Sequence, residues 1–273
     1  VSIDIAESGE QIQAKICILA TGAHITLGKK IGIIDDARPN AVAVRCYVKS
    51  PIAIDRLVFS YDKEIIPGYG WIFPLPNGEF NIGCGVLRSQ VITENLNLHR
   101  VFDRFISTFP LAKEIMEKAT EKTKLVGAPL RCGFVGMSVP RVDRVISIGE
   151  SISTTFPFTD EGIGKAMESA EMAANAIHKY LVSKDLNSIS EYDRLLKDEL
   201  EPKYGGYRKA EKWLAKAWVN DFLARRAQRS VYMRECLTEL IDEKIDPGKL
   251  FSIGGVLSFL LKYVPYKNPL FYP

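Results

Sequence analysis

The sequence predicts an α+β fold, and three observations carry that prediction. Residues 41–87 hold short apolar–polar alternations separated by turn residues, the mark of antiparallel strands. Residues 145–181 run from a short apolar strand through glycines into an amphipathic helix, the mark of an α/β unit. From Ile189 to Pro273 the pattern is mainly helical.

The elements follow in order. Ser8-Gly9 marks a hairpin turn, and Ile12–Leu19 reads as a strand ending in Ala20-Thr21-Gly22-Ala23. Residues 41–62 supply two strands broken at Ser50-Pro51. Residues 71–75 and 79–86 form a hairpin around Asn77-Gly78, a strong short-range turn signal. Residues 94–118 are helical with a break at Phe109-Pro110, and residues 124–132 read as another strand. Val145–Ile148 is a short apolar strand. Ile163, Ala166, Met167, Ala170, Ala174, Ile177 and Leu181 then recur at three- and four-residue steps, predicting a helix with Thr159 as its N-cap. In the helical remainder two apolar stretches stand out, Trp213 to Leu223 and Leu250 to Val264. The second is too short and too glycine-broken to span a bilayer.

Composition narrows the function classes. The 273 residues suffice for one large or two modest domains. The net charge of +3 is too small to argue for nucleic acid. Five cysteines, odd in number and widely spaced without a C-x-x-C pair, argue against a metal centre and fit reduced thiols in a cytosolic compartment. His24, His99 and His178 are scattered, and none is assigned chemistry. Arg225, Arg226 and Arg229 form a small basic cluster, read first as a solvated helix face and second as a lipid-phosphate contact.

The stretch from Val145 to Leu181 carries chemistry. A glycine at a strand end lets backbone approach a ligand closely, and a helix start offers N–H groups to an electron-rich partner. Here Gly149-Glu150 ends the strand and Pro157-Phe158-Thr159-Asp160-Glu161-Gly162 leads into the helix at Ile163. This resembles the second flavin-contacting motif of flavoproteins built like p-hydroxybenzoate hydroxylase. Gly149, Pro157 and Gly162 match that motif. Glu150 stands where Asp is usual, and Asp160 where the first Gly of the loop is usual. Glu161 reads as a partner of the helix dipole.

A second segment, YGWIFPLPNGEFNIGCG at residues 69–85, resembles geranylgeranyl reductases. Their Tyr-x-Trp-x-Phe-Pro segment and Asn-x-Gly-x-Gly strand are matched by Tyr69, Trp71, Phe73, Pro74, Asn81, Gly83 and Gly85. The Ala20–Ala23 loop looks like the family's Ala-x-Gly-Ala loop beside the cofactor, while no G-x-G-x-x-G fingerprint is present. The resemblance implies that the chain begins inside the cofactor domain, with an N-terminal segment supplied outside it.

It also implies an organisation: residues 1–35 and 141–188 as parts of an FAD-binding domain, 36–140 as a β-rich substrate domain and 189–273 as a helical region. FAD would be held by Gly22, Gly149, Glu150, Pro157, Gly162 and Ile163, only weakly by this chain alone. An isoprenoid or lipid would lie against Tyr69, Trp71, Phe73 and Pro74, with Gly83 and Gly85 leaving it room. The expected activity is reduction of isoprenoid C=C bonds, with peripheral membrane contact through the lipid. Three alternatives stay open: a flavin monooxygenase or halogenase of the same fold, a non-catalytic isoprenoid-binding module, and a scaffold that completes its site with another chain.

Overall fold

The structure, a computed structural model, describes residues 1–35, 38–87, 97–157, 160–214, 216–245 and 247–250. In chain order the elements begin with β1 (Ser2–Asp4), β2 (Gln11–Gln13), β3 (Cys17–Leu19) and α1 (Thr26–Lys30). β4 (Ala41–Lys49), β5 (Val58–Ser60), β6 (Tyr69–Pro74) and β7 (Glu79–Leu87) follow. Next come α2 (Leu98–Thr108), α3 (Pro110–Glu117), β8 (Glu121–Lys122), β9 (Val126–Leu130), β10 (Arg141–Val142) and β11 (Val145–Ser147). α4 (Ile163–Ser183) leads to α5 (Asn187–Leu195), which passes through a wider turn at Leu196–Leu200 into α6 (Glu201–Leu214). The last described elements are α7 (Ala217–Arg229), α8 (Val231–Ile241) and α9 (Pro247–Leu250). The expected N-cap Thr159 and the apolar stretch from residue 251 onward lie outside the described residues.

The chain divides into two compact units, Val1–Asn40 with Pro129–Gly205, and Ala41–Ala128 with Gly206–Pro273. In the first, β1 and β2 form an antiparallel hairpin, with Gly9 at φ +70° in the turn between them. The predicted strand Ile12–Leu19 is two strands: the chain bends at Lys15, leaving β2 with β1 and sending β3 into another sheet. There β3 pairs in parallel with β11, and β10 closes the other side of β11 in antiparallel sense.

Helix α4 forms as predicted, but its most buried residues lie beside the predicted stripe, whose Ala166, Ala170 and Ile177 are half-buried. Its buried positions are Lys165, Ser169, Ala173 and Ala176, whereas Ile163 is 80% exposed and Met167 69%. Packing distance explains the shift. A Cβ placed on Gly149 would lie 3.1 Å from the Ala166 Cβ, so the turn after β11 approaches the helix at a range only small side chains permit. The Ser169 hydroxyl occupies that range usefully, accepting the Gly149 N–H at 3.0 Å. Lys165 is buried with its ammonium 5.4 Å from the centre of the Phe156 ring and paired with Glu168 at 3.1 Å.

The second unit is built on a six-stranded sheet ordered β5-β6-β7-β4-β8, with β9 also paired to β4. The β6–β7 hairpin turns where predicted. Asn77 (φ 64°) and Gly78 (φ 73°) both take left-handed backbone, which those two residue types tolerate. One face of the sheet is the core. Val44, Cys46, Val48, Ile72, Phe80, Ile82 and Cys84 pack there against Val101, Phe102 and Phe105 of α2 and Ala112 and Ile115 of α3. Asn97 caps α2, its Oδ1 accepting from the His99 N–H at 3.0 Å, and Pro110 starts α3 after the predicted break. The strand predicted at 124–132 is shorter, Val126–Leu130, with β8 before it.

Candidate functional site

In the first unit the parallel pairing of β3 and β11 sends their following loops out at the same sheet edge. That edge, at the carboxyl ends of parallel strands, is where open α/β sheets bind ligands. Two serines tie the loops together. Ser147 and Ser151 both donate to the Leu19 carbonyl, at 3.5 and 3.0 Å, and the Ile148 N–H reaches the same oxygen at 3.0 Å. Tyr192 braces the turn from α5 through a 2.7 Å bond from its hydroxyl to the Ser147 carbonyl. Gly22, in the first loop, has φ +58°, and a Cβ there would meet nothing within 4 Å. Gly149, in the second, has φ +65° and opens a tight turn through Ile152.

Glu150 follows in that turn. Its Oε1 accepts the Arg131 backbone N–H at 2.9 Å, and its Oε2 takes no hydrogen bond among the described residues. Burial raises its carboxyl above the usual value, against the opposing pull of that hydrogen bond and of the Arg131 charge. Arg131 is itself fully buried. It donates from Nε to Ser153 Oγ at 3.2 Å and from Nη2 to the Val135 carbonyl at 3.0 Å. Nothing local in the sequence links Arg131 to Glu150, an acid nineteen residues away, so only the fold brings the two together.

Pro157 is buried in the approach to α4, and Gly162 is the residue before the helix. Gly162 has no side chain to cap α4; Glu161 does so instead, its Oε1 accepting the Gly164 N–H at 2.6 Å. Asp160 sits at φ +55°, and its Oδ1 accepts from the Cys132 thiol at 3.4 Å. Ile163 points outward.

These residues fit part of FAD. The half-buried carboxylate of Glu150 suits a sugar-like hydroxyl, and the open space beside Gly22 allows close backbone approach, whereas Thr155 and Glu161 already fill the space beside Gly162 and Gly164. The start of α4 fits less well, because two carboxylates, Asp160 and Glu161, occupy it and offset its positive dipole end.

In the second unit, pairing places Phe59, Trp71, Gly83 and Arg45 in one cross-strand row, on the sheet face opposite the core. Tyr69 lies beside Gly85, and Phe73 beside Asn81, on the same face. The predicted aromatics therefore come together. Tyr69 and Trp71 rings are 5.8 Å apart, and Trp71 and Phe73 rings 6.1 Å apart. Pro74 ends the strand, half-buried. The structure adds two rings: Phe59 stands edge-on to Phe73 at 5.3 Å, and Tyr61 stacks on Tyr69 at 5.8 Å. The period-two spacing of Phe59 and Tyr61 was a signal, but their strand partner was not legible.

Gly83 does not leave the room expected of it. The Trp71 indole fills that space: a Cβ on Gly83 would lie 2.2 Å from Trp71 Cζ2. The indole N–H donates to Asn81 Oδ1 at 3.0 Å, and Trp71 is only 9% exposed. Phe59, at 41%, is the exposed rim of the aromatic face.

No protein-family profile matches the chain. A digeranylgeranylglycerophospholipid reductase of Thermoplasma volcanium is 26% identical over 267 residues, 93% of this chain and 61% of that protein. A digeranylgeranylglycerophospholipid reductase of Methanoculleus marisnigri is 28% identical over 269 residues, 93% of this chain and 60% of that protein. A menaquinone reductase of Mycolicibacterium smegmatis is 30% identical over 184 residues, 62% of this chain and 42% of that protein. The chain thus spans between about two fifths and three fifths of the length of these relatives. Among solved structures, a geranylgeranyl bacteriochlorophyll reductase-like protein of Thermoplasma acidophilum shares the fold, with a TM-score of 0.66 at 20% identity over 94% of this chain and 61% of that one. Flavin-dependent halogenases and FAD-dependent monooxygenases share it as well. Among the described residues no helix is long and apolar enough to cross a membrane.

Proposed function

We propose that the protein to which this chain belongs reduces carbon–carbon double bonds of a polyprenyl lipid, using FAD. The observation that carries this reading is the aromatic face of the second unit: five rings, Phe59, Tyr61, Tyr69, Trp71 and Phe73, laid on the side of the sheet the core leaves uncovered. Aromatic surface holds an unsaturated hydrocarbon chain without presenting it unpaired polar groups. Similarity to reductases named for geranylgeranyl lipids supports the same substrate class.

FAD, when bound, supplies the hydride; reduction of each double bond is completed by a proton at the other carbon. Glu150 would hold a hydroxyl of the cofactor through Oε2, fixed in place by Arg131, and the Gly22 loop and the Gly162–Ile163 helix start would receive it along the backbone. The aromatic face orients the isoprenoid and excludes water from it. An isolated alkene is a poor hydride acceptor, so this positioning carries much of the catalysis.

The test is anaerobic incubation of the FAD-loaded full-length protein, reduced with dithionite, with a geranylgeranyl glycerophospholipid. The expected result is a mass gain of one H₂ per double bond reduced. The similarity to menaquinone reductase supports a second substrate, a menaquinone tail, assayed in a parallel arm. Oxygen incorporation into the substrate in a parallel aerobic arm, without alkene reduction in the anaerobic one, would place the protein with the monooxygenases instead.

A further inference from the structure

We propose that the outward face of α7 docks on an anionic phospholipid surface. Trp218, Phe222, Arg225 and Arg229 follow one another at steps of four, three and four, which puts them on one side of the helix, with Arg226 flanking the row. Val219 is the buried residue of the same helix, so the aromatic side faces outward. Trp218 is 62% exposed, an unusual position for the largest apolar side chain. With Asp221 these five residues line an open cavity of about 540 Å³.

The charges surround the rings. Arg226 places its guanidinium 5.7 Å from the centre of the Phe222 ring. Trp213, at the end of α6, packs edge-on to Trp218 at 6.5 Å and carries Lys216 at 4.8 Å over its ring. Asp221 is the one acid lining the cavity, against three arginines. Dipole complementarity explains arginines near the end of α7, but it gives no reason for exposed aromatics on the same face.

A headgroup layer explains both. Indole and phenyl rings sit at the boundary between acyl chains and headgroups, and arginine stems run along apolar surface while guanidinium forks meet phosphates. A fluid lipid surface brings a phosphate to each arginine without a matched geometry, as a folded acidic partner would have to supply. The proposal stands independently of the chemistry proposed above.

The experiment is co-sedimentation of the full chain with phosphatidylcholine vesicles, with and without phosphatidylglycerol. Binding is expected to the anionic vesicles, weakening as salt rises. Trp218→Ala should lower the partition coefficient roughly fivefold or more. The pair Arg225→Glu and Arg229→Glu should lower it about tenfold or more. Circular dichroism establishes that each variant is folded, and if Trp218→Ala is not, the exposed arginine pair decides alone. Wild-type protein that ignores anionic vesicles overturns the proposal, as do folded variants that bind undiminished. So does a dimer, seen by light scattering, that both variants dissolve, since the face would then belong to a second copy.

Discussion

Trp71 lies over Gly83, the residue directly across from it on the neighbouring strand, and its indole N–H is tied two residues along that strand to Asn81. The glycine and the ring act as one fitted pair, on the face of the sheet that the core does not use.

Gly83→Ala is therefore expected to destabilise the protein by about 1–3 kcal/mol through overpacking. Its Cβ would meet both the indole, at 2.2 Å, and the Val44 carbonyl, at 2.5 Å. Because the second contact is backbone, adding Trp71→Leu should restore only part of the loss. Thermal denaturation of the single and double variants checks this, and full rescue would contradict it.

Phe59 separates lipid binding from folding better than Trp71 does. Trp71 is buried, so Trp71→Ala would cost about 3 kcal/mol or more in stability as well as contact surface. Phe59→Ala removes an exposed ring from the same face and should change stability by less than about 1 kcal/mol. Affinity for a geranylgeranyl lipid is expected to fall roughly fivefold or more, as a Phe ring's worth of buried area is lost. Unchanged affinity, by calorimetry or fluorescent-lipid displacement, would remove the aromatic face from the lipid site.

Glu150 makes stability pH-dependent in a definite direction. Its folded carboxyl is raised above the ordinary value, so the native state binds a proton more tightly than the unfolded chain. Its contribution is fully present below the unfolded value and is lost as pH rises through the raised folded value. Glu150→Gln keeps an acceptor for the Arg131 N–H but cannot ionise. Chemical denaturation should show the stability of the variant relative to wild type increasing from acidic to neutral pH; a decrease would reverse the sign.

Asp160→Gly tests the loop before α4. The left-handed backbone at φ +55° is one glycine adopts freely, so the fold should tolerate the change despite loss of the Cys132 contact. Removing a negative charge within several ångströms of a bound flavin is worth on the order of a few kcal/mol at an effective dielectric near 20. Flavin affinity or reduction potential in the full-length protein is expected to rise. If spectroelectrochemical titration and equilibrium binding both leave wild type and variant alike, the loop does not face the flavin.

The hairpin at 69–87 was legible because its signals are local: Asn77-Gly78 for the turn, alternation for the faces, and Tyr69, Trp71 and Phe73 at period two. What escaped depends on residues distant in sequence. Phe59 joins the aromatic row only through strand pairing, and Arg131 meets Glu150 only through folding. The most buried strip of α4 departs from the hydrophobic pattern for another reason. Hydrophobic periodicity locates a buried face when burial is driven by apolar area, whereas here closeness to Gly149 favours small side chains at Ala166 and Ser169, the buried face also takes in Lys165, and Ile163 and Met167 turn outward.

The seating of Trp71 also gives the protein two optical populations. Its indole is shielded by neighbouring rings and its N–H is engaged by Asn81, so little water relaxes around the excited state and emission stays towards the blue. The other two tryptophans, Trp213 and Trp218, are exposed and emit further to the red. Lys216 over Trp213 attracts iodide, while the buried ring excludes it, so collisional quenching divides the spectrum between the sheet and the helices. Each fluorophore then reports on its own neighbourhood without a label.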